Sequence, residues 1–143
     1  MSPSPLAALD PGRSKCGLVR SDASRQCIEE ALILSPAACL ATLARWQQHG
    51  GLRAVVLGNG TSSSHWQTQL AELGLRVELV DERGTTLAAR QRYWELWPPL
   101  GWWRLIPPGL RLPPRELDDL AAQLLLERWL QRRLPRSPGA LGA

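Results

Sequence analysis

The sequence of 143 residues has no phenylalanine, and it has a single lysine and three cysteines. Without phenylalanine, the core has to be aliphatic, with the seven tryptophans as its main aromatic residues. Cys16, Cys27 and Cys39 are odd in number and form no Cys-x-x-Cys or Cys/His pair at metal-ligand spacing. We therefore interpret them as reduced core residues, which argues against a disulfide framework and against a zinc site.

Long apolar runs are also missing. No run approaches the ~20 residues that a membrane-spanning helix needs, and residues 1–9 lack the basic and hydrophobic regions of a secretion signal. We expect a soluble cytoplasmic protein with no membrane partner. A chain of this length fits one domain, since domains cluster around ~100–150 residues. We assign residues 1–134 to that domain and predict that residues 135–143 are a disordered tail.

The charge balance is positive and uneven. The formal net charge is +4, and from residue 83 onward ten arginines face five acids. A basic surplus suits a polyanionic partner, and arginine binds phosphate in a bidentate manner. Heavy use of arginine, alanine, leucine, proline and glycine is equally typical of a GC-rich genome, so charge alone only weakly favours nucleic acid.

Apolar runs between turn residues predict an α/β fold with a mixed five-stranded sheet. Strands are predicted near residues 5–10, 16–19, 26–35, 53–57 and 76–80, the first two as a hairpin and the fourth in the interior of the sheet. Helices are predicted from residue 36 to the Gly50–Gly51 pair, from the serines at 62–64 to residue 74, from residue 85 to about 93, and over 115–133. The predicted order is β-β-β-α-β-α-β-α-α.

Residues 97–114 are rich in proline and tryptophan. Three proline pairs exclude a regular helix there, because proline removes a backbone donor and fixes φ. The three tryptophans could stack nucleic-acid bases beside two arginines, or the segment could form a rigid lid or a dimer contact. The residues concerned are Trp97, Trp102, Trp103, Arg104 and Arg111.

Three acids stand at positions where a mixed sheet could bring them together. Asp10 ends the first strand, Glu82 follows the fifth, and Asp118 lies in the last long helix. Three carboxylates in one crevice repel one another, and a divalent cation relieves that repulsion. Two such ions roughly 3.5–4 Å apart could cleave a phosphodiester. Each acid also has an ordinary explanation: a turn starter, a surface ion pair with Arg83 or Arg13, or a solvated helix position.

Three segments resemble motifs of the YqgF/RuvX family. They are LDPGRSKCGL at 9–18, DER at 81–83 followed by TT at 85–86, and DDLAA at 118–122. They occur in the family's order and span almost the whole chain. Two features depart from the family pattern: the segment LGNGTS at 57–62 and the length and composition of residues 97–114.

The resemblance implies an RNase H-like fold and a metal-dependent nuclease. It implies 5′ maturation of 16S ribosomal RNA, or resolution of Holliday junctions, with structured RNA or branched DNA as partner and Mg²⁺ or Mn²⁺ as cofactor. Asp10, Glu82 and Asp118 become the catalytic, metal-binding acids, with Asp119 as a substitute for Asp118. The nucleic-acid contacts are expected from Lys15, Arg83, Arg13, Thr61 and Ser62.

Other interpretations stay open. The strand followed by Gly58-x-Gly60 is similar to a dinucleotide-binding loop, although Ser63 stands at its third glycine position. The loop after Asp10 also looks like the phosphate loop of actin-like ATPases, which need two such domains. A non-catalytic nucleic-acid-binding module on the same fold is the main competitor, and a monomer and a homodimer are both compatible with the sequence.

Overall fold

The secondary structure follows the predicted order. A computed structural model describes residues 3–60 and 62–141. The strands are β1 (Ala7–Asp10), β2 (Cys16–Ser21), β3 (Ile28–Leu34), β4 (Ala54–Gly58) and β5 (Arg76–Val80). The helices are α1 (Pro36–Gly50), α2 (Ser63–Glu72), α3 (Thr85–Leu96), α4 (Asp118–Leu130) and α5 (Pro138–Leu141), with short 3₁₀ helices at Gly101–Leu105 and Pro108–Leu110.

The five strands form one mixed sheet in the order β3-β2-β1-β4-β5. β1, β2 and β3 are antiparallel neighbours, whereas β4 runs parallel to both β1 and β5. β4 is buried along its whole length, as predicted for an interior strand covered on both faces. The predicted fold class, an α/β fold with a mixed five-stranded sheet, is confirmed.

Local sequence signals explain where the first helix begins and ends. The Ser35 hydroxyl accepts a hydrogen bond from the backbone N–H of Ala38 at 3.2 Å, and Pro36 occupies the first helical position. Gly51 follows the helix with φ of 72°, a conformation that glycine adopts without strain. Helix α1 thus has both the start and the end that the sequence predicts.

The two faces of the sheet bury different residues because strand side chains alternate. On one face, Leu18 and Leu57 pack with α1 and α2 through Trp46 and Trp66. Cys16 and Cys39 lie in this layer, as predicted for reduced core cysteines, whereas Cys27 is only half-buried and lies outside the core. On the other face, residues of β1, β2 and β4 pack against α4: Ala8, Val19, Val56, Leu125 and Leu126.

The end of the chain differs from the prediction. Helix α4 ends at Leu130 rather than at residue 133, and residues 135–141, predicted as a disordered tail, contain helix α5 and hydrogen-bonded backbone. The backbone of Ile28 at the edge of the sheet donates to Pro135 O and accepts from Ser137 N, both at 2.8 Å. An unpaired strand edge gains hydrogen bonds this way, which composition did not reveal. Residues 142–143 lie outside the described residues.

No helix in the described part of the chain combines the length and the apolar character needed to cross a bilayer.

Candidate functional site

Gly17 brings Asp10 and Asp118 together. In the antiparallel pair of β1 and β2, Asp10 stands opposite Gly17. A Cβ at Gly17 would collide with the backbone carbonyl of Asp118, so only glycine lets the start of α4 approach the sheet here. Two acids 108 residues apart in sequence, positions 10 and 118, therefore meet at the end of β1.

Glu82 reaches the same edge of the sheet from β5. Its carboxylate lies over the loop after β4, where a Cβ at Gly58 would be 2.5 Å from Oε2 and a Cβ at Gly60 would overlap Oε1. The Glu82 carbonyl accepts from the Thr85 hydroxyl at 2.9 Å, and its N–H donates to Oδ1 of Asn59 at 3.4 Å. The two glycines thus make room for a carboxylate, which would repel the pyrophosphate of a dinucleotide. This geometry argues against the dinucleotide-binding interpretation.

The three carboxyl groups influence one another electrostatically. Burial raises the pKa of Asp10 to about 7, and the negative charges of Asp118 and Glu82 add to that rise. The pKa of Asp118 is also raised, first by burial and then by the charges of Glu116 and Asp119. A carboxyl group that resists ionisation at neutral pH among other acids is typical of a site that receives a cation.

The donor set suits a hard divalent cation. Asp10, Glu82 and Asp118 offer carboxylate oxygens, which Mg²⁺ and Mn²⁺ prefer. A dication would offset both the burial of the Asp10 charge and its repulsion by the other two acids, which together raise the pKa of Asp10. Within residues 3–60 and 62–141, no three of the histidine, cysteine, aspartate and glutamate side chains already stand at metal-ligating distance. The three acids converge on one region without forming a closed ligand set.

An open cleft of about 420 Å³ lies beside two of these acids. Its border includes Asp10 and Asp118, two arginines, and part of the proline-rich segment: Asp10, Asp118, Arg90, Arg115, Leu112 and Pro113. Neither Arg90 nor Arg115 was predicted to belong to the site. Arg90 lies on α3, and only the packing of α3 against α4 places it beside Asp118. The concentration of arginines after residue 83 was the one sequence feature that could have indicated basic residues at the site.

The residues that we expect to contact nucleic acid differ in their ion pairs and in their accessibility. Lys15 is engaged by Glu116, with Nζ 3.0 Å from Oε1, and Arg83 is 91% exposed in its side chain and paired with Asp81 at 3.1 Å. Arg13 and Ser62 are exposed, while Thr61 lies outside the described residues. Arg83, next to Glu82 in sequence, remains accessible to a ligand.

Asp119 is not a substitute for Asp118, contrary to the sequence-based expectation. It is buried, and its carboxylate oxygens accept from Arg115 at 2.9 Å and from Arg136 at 3.1 Å. Arg136 also donates to Gln123 at 2.7 Å. A buried carboxylate held by two guanidinium groups is a structural ion pair, and both of its oxygens already accept hydrogen bonds.

Residues 97–114, which we call the strap, are mostly exposed and contact the rest of the protein through a few side chains. Trp97 contacts Tyr93 with ring centroids 5.2 Å apart, and the Arg115 guanidinium lies 4.9 Å from the Trp97 ring. The Arg111 side chain donates to two strap carbonyls, so Trp97 and Arg111 are not free to bind a base. Trp102 is 83% exposed. The strap also borders the cleft through Leu112, which agrees with the alternative of a rigid lid.

The chain is similar to known proteins in part of its sequence and in most of its fold. No family model matches the chain. It is 40% identical over 60 residues to a protein of Coxiella burnetii (strain Dugway 5J108-111) named "Putative pre-16S rRNA nuclease". A protein of the same name from strain CbuK_Q154 is 38% identical over 60 residues. Each match covers 42% of this chain and 34% of the relative, so the chain matches about a third of the relatives' length.

A solved structure shares the fold over nearly the whole chain. It is "T. thermophilus RuvC in complex with Holliday junction substrate", with a TM-score of 0.51 and 17% sequence identity. The match covers 90% of this chain and 95% of that one. At this identity the likeness concerns the fold, and it supports the RNase H-like architecture that the motifs implied.

Proposed function

We propose that this chain, a YqgF/RuvX-like protein by its motifs, its partial relatives and its RNase H-like fold, is a metal-dependent nuclease. Its proposed reaction is hydrolysis of phosphodiester bonds in structured nucleic acid. The proposal includes a cytoplasmic location, and it leaves a monomer and a homodimer equally open.

One observation carries the proposal: Asp10, Glu82 and Asp118 converge from three separate parts of the chain. Burial, and then the negative charges of Asp118 and Glu82, destabilise the ionised state of Asp10, whose pKa rises to about 7. A protein that only needed a stable fold would gain nothing from gathering unpaired carboxylates at a cleft, since removing one would relieve the repulsion. A cation bound by the three acids would relieve this repulsion and could at the same time bind a phosphate, which gives the arrangement a function.

The three acids would hold Mg²⁺ or Mn²⁺ in this proposal. When bound, the cation supplies activation of the attacking water and stabilisation of the charge that develops on the phosphate oxygens. Asp10 has to lose its proton to become a ligand, because a neutral carboxyl group binds cations weakly. Glu82 would take the same role: its backbone carbonyl accepts a hydrogen bond from the Thr85 hydroxyl, and Gly58 and Gly60 leave room for its carboxylate.

Two arginines would hold the substrate in the cleft. Arg90 and Arg115 border it together with Asp10 and Asp118. Guanidinium groups bind phosphate oxygens with two parallel hydrogen bonds, which orients a phosphodiester as well as attracting it. Arg115 already donates to Asp119 at 2.9 Å and to the Glu116 carbonyl at 2.6 Å, so it would contribute positive charge near the start of α4 while Arg90 would make the bidentate contact. Arg83 could contact a more distant phosphate of the same strand.

The most specific form of the proposal is 5′ processing of precursor 16S ribosomal RNA. The printed name of the partial relatives supports this substrate. The alternative is cleavage of branched DNA, supported by the fold shared with a protein that was solved on a Holliday junction. The chemistry at phosphorus is the same for both, so the substrate has to be determined by experiment.

The test compares the wild-type protein with Asp10→Asn and Glu82→Gln. Each would be incubated with end-labelled precursor ribosomal RNA and with a four-way DNA junction, in Mg²⁺, in Mn²⁺ and in chelator. We expect cleavage of one substrate by the wild type alone, and only with a cation. The matched control is Glu72→Gln, which removes an exposed carboxylate at the end of α2 and should leave cleavage unchanged.

The outcomes separate the candidate functions. Cleavage of only the RNA supports ribosomal RNA processing, and cleavage of only the junction supports a resolvase-like nuclease. Binding without cleavage, unchanged in Asp10→Asn, would replace the catalytic proposal with a non-catalytic nucleic-acid-binding module.

A further inference from the structure

A second cavity adjoins the cleft and shares Arg90 with it. This cavity, which we call the strap pocket, has a volume of about 230 Å³ and lies between helix α3 and the strap. It is bordered by Leu87, Arg90, Gln91 and Trp94 of α3 and by Pro108 and Gly109 of the strap. Arg90 borders both cavities, so a group in the strap pocket would be one side chain away from the carboxylates.

The walls of the strap pocket are held in place by internal hydrogen bonds. The indole N–H of Trp94 donates to the Arg111 carbonyl at 3.1 Å. The Arg111 Nε–H donates to the carbonyls of Trp103 and Ile106 at 2.9 and 2.8 Å. Trp103 packs against Trp94 with ring centroids 5.6 Å apart. The pocket therefore exists before a ligand arrives, which lowers the entropy lost on binding.

The chemistry of the lining matches an unpaired nucleobase. Trp94 offers an aromatic surface on which a base can stack. The Gln91 amide can both donate and accept hydrogen bonds, as the polar edge of a base requires. Arg90 is positive and borders both the strap pocket and the cleft in which a phosphate would bind. No acid stands among the described lining residues of the strap pocket.

We propose that the strap pocket binds one unpaired nucleobase of the strand whose phosphodiester lies in the cleft. This inference rests on the proposed nuclease function and adds to it a preference for a substrate with a single-stranded segment at the cleavage site. Arg90 would bridge the two subsites by contacting the phosphate between the bound base and the scissile bond. The long strap, which departs from the family pattern, would then supply one wall of a base-binding site.

The experiment measures the affinity for short single-stranded RNA oligonucleotides in which one abasic position is moved along the strand. Fluorescence anisotropy would be recorded with Ca²⁺ in place of Mg²⁺, with a gel to verify that the strand stays intact. For the wild type we expect one position at which loss of the base weakens binding about tenfold, within the range for one stacked base. At the other positions the effect should be smaller.

Two variants and a control assign that position to the strap pocket. Gln91→Ala removes an exposed side chain on α3, and Trp94→Leu removes the aromatic surface while keeping an apolar residue. In both variants, the intact and abasic oligonucleotides should bind with affinities closer together than in the wild type. Gln48→Ala, at an exposed glutamine of α1, should keep the full abasic effect. Because Gln91→Ala removes only an exposed side chain, it keeps the test valid if Trp94→Leu fails to fold.

Three results would overturn the inference: no position sensitive to base loss, an abasic effect that survives in both variants, or no measurable binding of any oligonucleotide. Loss of self-association in the variants with the abasic effect intact would assign the pocket to a protein contact. Affinity is measured here without cleavage. The result is therefore distinguishable from failure of the nuclease proposal, which is judged by cleavage in Asp10→Asn.

Discussion

The backbone carbonyl of Asp118 lies directly against Gly17, in the space that any other residue would fill with its Cβ. Gly17 is paired with Asp10 in the sheet, so this close approach sets the relation between two of the three acids. The presence of glycine at position 17, the second glycine of the motif at residues 9–18, thus has a structural reason. It allows the helix that carries the last acid to reach the sheet.

Gly17→Ala should therefore damage both the fold and the site. The added methyl group forces α4 away from β2, and overpacking of this kind costs about 1–3 kcal/mol in the free energy of unfolding. Asp118 would move away from Asp10, so nuclease activity should also be lost. Urea denaturation measures the first effect. The control is Gly139→Ala, where a Cβ meets nothing within 4 Å and stability should stay within about 0.5 kcal/mol.

Asp10→Asn should stabilise the cation-free protein, with a gain that depends on pH. The pKa of Asp10 rises from 3.8 to about 7, so between these values the folded state binds more protons than the unfolded state. Stability is consequently lost as pH rises through that window, and above it the full penalty is present. At pH 8 we expect a gain of up to about 4 kcal/mol for Asn, falling toward zero near pH 4. Equal gains at both pH values in urea denaturation would contradict this account.

Adding Mg²⁺ or Mn²⁺ should raise the melting temperature of the wild type more than that of Asp10→Asn. A ligand that binds the folded state stabilises it by mass action, about 2.7 kcal/mol at a hundred times the dissociation constant. Binding requires Asp10 to be ionised, so the apparent affinity should increase as pH rises through about 7. Thermal unfolding at several cation concentrations and pH values measures both effects. Identical shifts in the two proteins would place the cation elsewhere.

Arg136→Met should destabilise the protein although it lies close to the end of the chain. The change leaves the buried carboxylate of Asp119 with Arg115 as its remaining cation, and breaking a buried pair costs about 3–5 kcal/mol. Arg133→Met is the matched control, since Arg133 is exposed and paired with an exposed glutamate. Its effect should stay below about 1 kcal/mol in the same urea titration. Comparable losses in the two variants would show that the Asp119 pair is not the cause.

Much of the fold could be predicted from the sequence, because the positions of strands and helices follow from local residue patterns. Interior strand β4 is a short run of apolar residues between glycines, and α1 has a serine cap, a proline at its start and glycine after its end. The three acids could also be identified from the sequence, since each belongs to a recognisable motif. Their convergence is consistent with the raised pKa of Asp10, while their role as metal ligands stays a prediction.

The features that the sequence did not reveal depend on long-range contacts. Asp118 and Asp119 are adjacent and chemically identical, yet one borders the cleft and the other is buried between Arg115 and Arg136. The helix that begins at Asp118 turns by about 100° per residue, so neighbouring side chains face different surroundings. No local signal says which of the two is free. The order of residues 135–141 was missed for the same reason, because their partners lie on β3 and α4.

The sequence by itself determined the order of the strands and helices and the place of each of the three acids along that order. It also determined the resemblance of the three motifs to the YqgF/RuvX family. All of these depend on residues that are close together in the chain. Only the tertiary structure decided that Gly17 admits Asp118 to the sheet, that Gly58 and Gly60 make room for Glu82, and that Arg90 borders two cavities at once. Those relations join residues that are distant in sequence, and they arise from the packing of whole elements, which a local pattern does not encode.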